Sequence, residues 1–527
     1  MRSRLDVRTG CLAAAAVVVL LLMGCKFHKA KICPRVGAPA LTGLGASKAA
    51  WGDFDKDGDL DVVIAGSTTT GSPTPTTKFY RNNGSGGFTE VTGANFLDVT
   101  NADLCWVDLD NDGFIDLILC GTDAAGNPKT HIYQNNGNGT FTDKGNCGLP
   151  DIQSGTIRSA DSNHDGLFDL AAMGDDGTSL VAEVFYNSGN FTFFNVGAGI
   201  TPVLGTLDWT DIDNSGTWGL LVTGTPDGIY DDSLVVKFYW DISDGWSSID
   251  VTSDKLTGTA LTLGDFNNDG LVDFAVAGYD DSSAEMARVY FNNGSSFFTD
   301  VGAGLTAAAN GSVACGDFNA DGFLDLVVMG QPSNVQSQVQ TILYFGDGNG
   351  VFTDSGELFT GANSGCVAAA DYNRNTRLDF ILMGINANGA PFAELVSNTA
   401  APANTRPTAP ISLFTSVSGS DVTIFWGSNS DDHTPVAALT YNVRVGSSAG
   451  ADDMLPAHAN GVNGFRRIVG PGNGSRGNSL VLRNLPDGTY FYSVQAIDGM
   501  WEGGDWATEN TFTIFSGAIR GNGPGAP

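Results

Sequence analysis

Residues Asp53–Asp61, DFDKDGDLD, set an aspartate at every second position of one short stretch. Carboxylates packed so closely repel one another and call for a cation. The pattern recurs as DLDNDGFID from Asp108, DSNHDGLFD from Asp161, DIDNSGTWG from Asp211, DFNNDGLVD from Asp265, DFNADGFLD from Asp317 and DYNRNTRLD from Asp371. Successive starts lie 55, 53, 50, 54, 52 and 54 residues apart, a period that defines a repeat architecture. Every copy runs into a short apolar stretch closed by glycine: VVIAG, LILCG, LAAMG, LLVTG, FAVAG, LVVMG and FILMG. Five apolar residues between turn signals read as a buried strand. A variable polar loop follows, then an aromatic hairpin such as KFYRNNGSGGFTEV, whose Asn-Gly suits a tight turn. Each unit therefore holds about four strands. Seven such units predict an all-β fold, a seven-bladed β-propeller.

These units resemble FG-GAP or VCBS repeats, as in the heads of integrin α-subunits and in bacterial surface proteins. The resemblance covers about residues 27–400 and implies a calcium-binding propeller. The seventh unit lacks an FTDV-like outer strand. Residues near Phe27–Arg35 are expected to supply it and close the ring, so that the propeller spans residues 25–400.

A divalent cation with oxygen ligands suits the acidic loops. Calcium takes six to eight oxygens, whereas magnesium prefers fewer protein ligands and a stricter octahedron. Side chains at positions 1, 3, 5 and 9 can converge, and glycine at position 6 permits the sharp turn. The first loop offers Asp53, Asp55, Asp57 and Asp61, with a carbonyl from Asp59; the second offers Asp108, Asp110, Asp112 and Asp116. The third offers Asp161, Asn163, Asp165 and Asp169. The fifth offers Asp265, Asn267, Asp269 and Asp273, and the sixth Asp317, Asn319, Asp321 and Asp325. Their Asn at position 3 removes a charge, so the first two loops should bind most tightly. Five sites are expected. Ser215 and Gly219 replace two ligands in the loop from Asp211, which should be empty. So should the loop from Asp371, where Thr376 replaces glycine; Arg374 and Arg377 there either neutralise Asp371 and Asp379 or are simply solvated. These loops are not EF-hands, because Ile64 and Leu119 stand where a twelfth-position Glu is required.

The rest of the sequence bounds the context. The formal charge of −32 argues against nucleic-acid binding, while 42% hydrophobic residues permit a packed core. Arg2, Arg4 and Arg8 precede an apolar run, Cys11–Met23, of about 13 residues, as in a secretory signal. LLMGC resembles a lipoprotein cleavage box, implying a signal peptide over 1–24 and a lipidated Cys25. The expected location is thus the cell envelope or surface, with membrane contact through that lipid alone. Cys33, Cys105, Cys120, Cys147, Cys315 and Cys366 can be either disulfide-bonded or buried thiols.

TAAPANTRPTAP (399–410) reads as a linker, centred on 401–410, before alternating strands in DVTIFWGSNSDD, LTYNVRVG and NLPDGTYFYSVQAIDG. Residues 407–515 resemble a fibronectin type III module, a small β-sandwich, with Trp426 in its core and Tyr490 at a tyrosine corner. GSSAGADDMLPAHANGVNGF is a longer insertion than such modules carry, and residues 516–527 are expected to be disordered. His28, His131, His164, His433 and His458 lie in no catalytic setting, with His164 expected to be a solvated loop residue. No nucleophile elbow or phosphate loop is present. The sequence favours adhesion or binding of a surface protein or glycan over an envelope scaffold. A polysaccharide lyase or dehydratase on the propeller is the enzymatic alternative.

Overall fold

The structure is a computed structural model and describes residues 41–515 apart from 227, 229–232, 243–244, 334 and 475. The signal peptide expected over 1–24, Cys25, Cys33, the closing strand expected near 27–35 and residues 516–527 lie outside the described residues.

Each repeat folds as an antiparallel sheet. In the first, Gly45–Gly52 pairs with Asp61–Ser67, which pairs with Pro75–Asn82, which pairs with Phe88–Glu90. Asp61–Ser67 is buried throughout, which explains its unbroken apolar run: both faces of the sheet are covered by neighbouring units. Thr100–Val107, Gln153–Ala160, Leu204–Thr210 and Leu256–Gly264 open further four-stranded sheets of the same order, and the set from Ala309–Gly316 joins the next through Gln340 and Ala362 into one seven-stranded sheet. Ala362–Ala370, Asp379–Asn386 and Pro391–Val396 form the seventh set.

Repeated bonds join each unit to its neighbour. The Trp106 indole N–H donates to the Ala50 carbonyl at 3.3 Å and Trp209 to Arg158 at 3.2 Å. Trp51 of the first unit reaches Ala368 of the seventh in the same way at 3.0 Å, and stacks on Tyr372 with ring centroids 5.8 Å apart. The units therefore form a closed ring, a β-propeller. Residues just before Gly45 take part in the closure. Leu44 pairs with Phe392 of the seventh unit, and the Thr42 N–H donates to the Tyr80 hydroxyl at 3.2 Å. The tails of other units make that bond, Leu97 to Tyr133 and Thr306 to Tyr344. Residues 41–44 thus hold the place of a seventh tail.

The innermost strands surround a polar channel of about 430 Å³. Ala46, Asn101, Ser154, Asn310 and Ser364 line it with positive φ (47°, 50°, 49°, 51° and 47°), each beside a break in strand register. Such bulges sharpen strand twist at the crowded axis.

The C-terminal module stacks two three-stranded sheets, one of Phe414–Ser418, Asp421–Phe425 and Ser479–Leu482, the other of Thr440–Gly446, Gly488–Ile497 and Asn510–Ile514. Trp426, Tyr490, Tyr492, Val494 and Ala496 are buried together between them. The Tyr490 hydroxyl donates to the Pro486 carbonyl at 2.7 Å. This module packs against the ring, on the face that carries the acidic loops. Asp53 N–H donates to Arg467 O at 2.9 Å, Asp108 N–H to His458 Nε2 at 3.1 Å and Asp317 N–H to Gly499 O at 2.9 Å. Of these contacts only His458 lies in the segment read as an insertion, Gly446–Phe465; Arg467 follows it closely and Gly499 lies well beyond it. The linker is pinned along the interface: Asn404 N–H bonds Thr376 O at 3.0 Å, and Arg377 Nε bonds Ala401 O at 2.6 Å.

The described cysteines, Cys105, Cys120, Cys147, Cys315 and Cys366, are free thiols, and burial raises the pKa of each. Among the described residues no helix is long and apolar enough to cross a membrane.

Candidate metal centres

Each acidic loop leaves the first strand of its sheet and returns through the second, so sheet pairing fixes both ends. In the second loop the Asp108 Oδ2 accepts the Gly113 N–H at 2.8 Å, closing a turn in which Gly113 has φ 83°. The third, fifth and sixth loops close identically on Gly166, Gly270 and Gly322.

The ninth-position aspartates do more than the sequence suggested. Asp116 Oδ1 accepts the Asn135 N–H at 2.8 Å and its Oδ2 the Leu109 N–H at 3.0 Å. Asp61 and Asp273 also accept two backbone N–H groups, and Asp169 and Asp325 three, tying the loop to the third strand. The partner asparagine went unnoticed in the sequence. Asn135 donates its side-chain N–H groups to Ile115 O of its own unit at 3.1 Å and to Phe54 O of the preceding unit at 2.8 Å. Asn82, Asn187, Asn292 and Asn398 clamp their units likewise. The available signal is an Asn 18–21 residues after Asp61, Asp116, Asp169, Asp273 and Asp379; in the sixth unit Gly346 takes that place beside Asp325.

Two loops bring three carboxylates together. Ligand oxygens of Asp53, Asp55 and Asp61, and those of Asp108, Asp110 and Asp116, lie within 4.8 Å of one another. Asp53 Oδ1, Asp108 Oδ1 and Asp110 Oδ1 are buried without a hydrogen-bond donor. A buried, bare carboxylate oxygen is costly. Burial, then the neighbouring carboxylates, push Asp53 up to about 7 and Asp108 up to about 8. Burial pushes Asp61 up to about 9 and Asp116 well above the usual range. A bound cation would remove both penalties, so these residues fit a hard divalent ion.

The other loops differ. In the third, fifth and sixth, the first-position Oδ1 accepts the loop's own N–H from Asp165, Asp269 and Asp321, and the Asn163, Asn267 and Asn319 amides bond those same aspartates. The fifth also has Arg476 of the docked module 3.7 Å from Asp265. The first loop has its own competitor, Arg81, 2.5 Å from Asp55 and 3.0 Å from Asp57; the second has neutral Gln134, 2.7 Å from Asp110. In the loop from Asp371 neither arginine bonds Asp371 or Asp379, although the charge of Arg377 favours the Asp379 carboxylate. Arg374 crosses to Asp59 of the first loop at 3.0 Å, and Arg377 bonds backbone carbonyls. Asp379 is held instead by Asn373 at 2.6 Å and the Asn398 N–H at 2.5 Å.

His164 is not solvated. It is buried, and its carbonyl accepts the Arg483 N–H at 2.7 Å. Burial lowers its pKa to about 4, and that of His458 to about 3. His131 bonds Asp143 at 3.0 Å and His433 bonds Asp432 at 2.8 Å.

The family described as FG-GAP-like repeat matches residues 53–119, 108–172 and 265–328. These stretches are FG-GAP-like repeats. The matches include the two loops that gather three carboxylates, and they skip residues 173–264, where the fourth unit departs from the pattern. A comparison with curated proteins finds no match. Among solved structures, an extracellular domain from B. thetaiotaomicron is similar over 76% of this chain and 46% of its own, at 11% identity and TM-score 0.37. The six-bladed fucose lectin of Aleuria aurantia is similar over 57% of this chain and 97% of its own, at 13% identity and TM-score 0.33. Both likenesses are distant. The propeller assignment rests on the FG-GAP-like repeats and on the ring's own strand pairing.

Proposed function

We propose that the chain is an exported, calcium-stabilised, seven-bladed propeller with a fibronectin type III-like module, held at the cell surface through a lipid on Cys25, where it binds a protein or glycan. The bare, buried oxygens of Asp53, Asp108 and Asp110 carry the calcium part of this reading. Asp53, Asp55 and Asp61 would hold one ion and Asp108, Asp110 and Asp116 another. The loops from Asp161, Asp265 and Asp317 would bind more weakly. The ion's work is structural: it neutralises loops against which the second module docks. That docking covers part of the acidic face, so the opposite channel mouth and the loops that stay exposed, such as the one from Asp211, are left for a partner. Leu44 beside Phe392 supports closure of the seventh blade by the N-terminal segment, and the Tyr490–Pro486 bond supports the type III likeness.

Thermal unfolding with calcium, then with excess chelator, tests the reading. A clear fall in melting temperature on chelation is expected, and an unchanged one would sink the calcium role. Radiolabelled palmitate should enter the wild-type chain and be lost in Cys25→Ser. Arg81 competes directly with an ion for Asp55. Arg81→Gln, which copies the second loop, should therefore tighten calcium binding at the first loop by roughly tenfold or less, in line with one partly exposed ion pair. Calorimetric titration would show weaker or equal binding if Arg81 does not compete.

A further inference from the structure

The fourth unit has lost two of its four ligand side chains, to Ser215 and Gly219, and the geometry points to a carbohydrate-binding pocket built there. This rests on the binding-protein reading above and deepens it. Gly219 stands where the ninth-position Asp belongs; Trp240, its partner in the strand register, stands where Arg81 and Gln134 stand in the first two units, and Asp241 stands where the clamp Asn belongs. A side chain at Gly219 would collide with the Phe238 ring. The missing side chain at 219 therefore makes room for the Phe238 ring and for Trp240 stacked on it. Phe238 and Trp240 stack with centroids 5.6 Å apart and planes inclined by 16°.

Beside them lies a pocket of about 260 Å³. Trp240 is half-buried, whereas Asp213, Ser215, Thr217 and Asp241 on the same wall are exposed. Ser296 of the next unit lines the far side. Asp241 is oriented by the Tyr186 hydroxyl, which donates to its Oδ2 at 2.8 Å, and Asp213 by the Ser215 N–H at 3.1 Å.

A flat indole beside carboxylates and hydroxyls suits a pyranose ring. The sugar's C–H face packs on the aromatic plane, and its hydroxyls donate to carboxylates in charge-assisted bonds. The volume lies below that of drug-sized pockets and fits one ring of a glycan whose remainder stays in solvent. A quaternary ammonium ligand would need aromatic faces on several sides. Here the rings are stacked nearly parallel and offer a single platform. The carboxylates disfavour an acidic sugar, so the ligand class is a neutral or N-acetylated glycan.

The test is a printed array of neutral, N-acetylated and acidic glycans probed with the calcium-loaded chain, followed by titration of the best-bound sugar and, separately, of choline. Saturable binding of a neutral or N-acetylated glycan is expected. Trp240→Ala should weaken it at least tenfold, and Asp213→Ala and Thr217→Ala should each weaken it severalfold without moving the melting temperature. If Trp240→Ala unfolds, the two exposed variants decide. Glycan binding untouched by these variants would place the site elsewhere and overturn this pocket while leaving a glycan-binding propeller intact. No glycan bound, a preference for acidic glycans, or choline bound instead, would overturn the pocket outright; the calcium measurements above are independent of that result.

Discussion

Asp116→Ala is expected to destabilise the ring by about 2–6 kcal/mol, since it strips two buried N–H groups of their acceptor at about 1–3 kcal/mol each. The donors are Asn135 and Leu109, one on the third strand and one in the acidic loop. Loss of the carboxylate frees both ends of the clamp that holds the second unit to the first. Asp112→Asn, at an exposed loop position, should cost far less even though it removes the same charge. Urea unfolding of the two variants in chelator separates anchor from ligand. Equal, small losses would show that the ninth-position Asp acts only through an ion.

The second large effect is a reversal of pH dependence. In the metal-free chain, burial raises Asp61 and Asp379 to about 9, Asp108 and Asp273 to about 8, and Asp53, Asp169 and Asp371 to about 7. The unfolded chain titrates near 4. Between those values the folded chain holds more protons than the unfolded one, so its stability is greatest in acid and declines as pH rises from about 4 to about 9. Calcium needs the deprotonated carboxylates and favours the opposite trend. Chelated protein should therefore melt roughly 5 °C or more lower at pH 8 than at pH 5.5. With millimolar calcium the order should invert. A chelated protein whose melting temperature rises across that range would contradict the assigned burial.

The repeat, its strands and its acidic loops were legible because each depends on side-chain chemistry at a fixed local spacing. Glycine at 58, 113, 166, 270 and 322 marked the turns, and VVIAG-like runs marked the buried strands. What escaped reading depends on distance. Asn135 looks like one more turn residue in YQNNG until its side chain is seen bridging 81 residues to Phe54. The channel bulges carry Ala46, Asn101, Ser154, Asn310 and Ser364, residue types too varied to announce a shared left-handed conformation. Arg374 lies close in sequence to the carboxylates of its own loop, yet it pairs with Asp59, 315 residues away. The docking of His458, Arg467 and Gly499 on the acidic loops could not be foreseen, because all three accept from backbone N–H groups, which leave no trace in composition.

The central claim, that acidic loops of this ring hold calcium, is tested most directly by counting ions. Native mass spectrometry of the wild-type chain, dialysed against micromolar calcium, is expected to show the ions of the first two loops retained. The Asp55→Ala/Asp110→Ala pair should lose both while remaining folded at higher calcium. A wild-type chain with no retained calcium, or a double variant that keeps its full complement, would contradict the account.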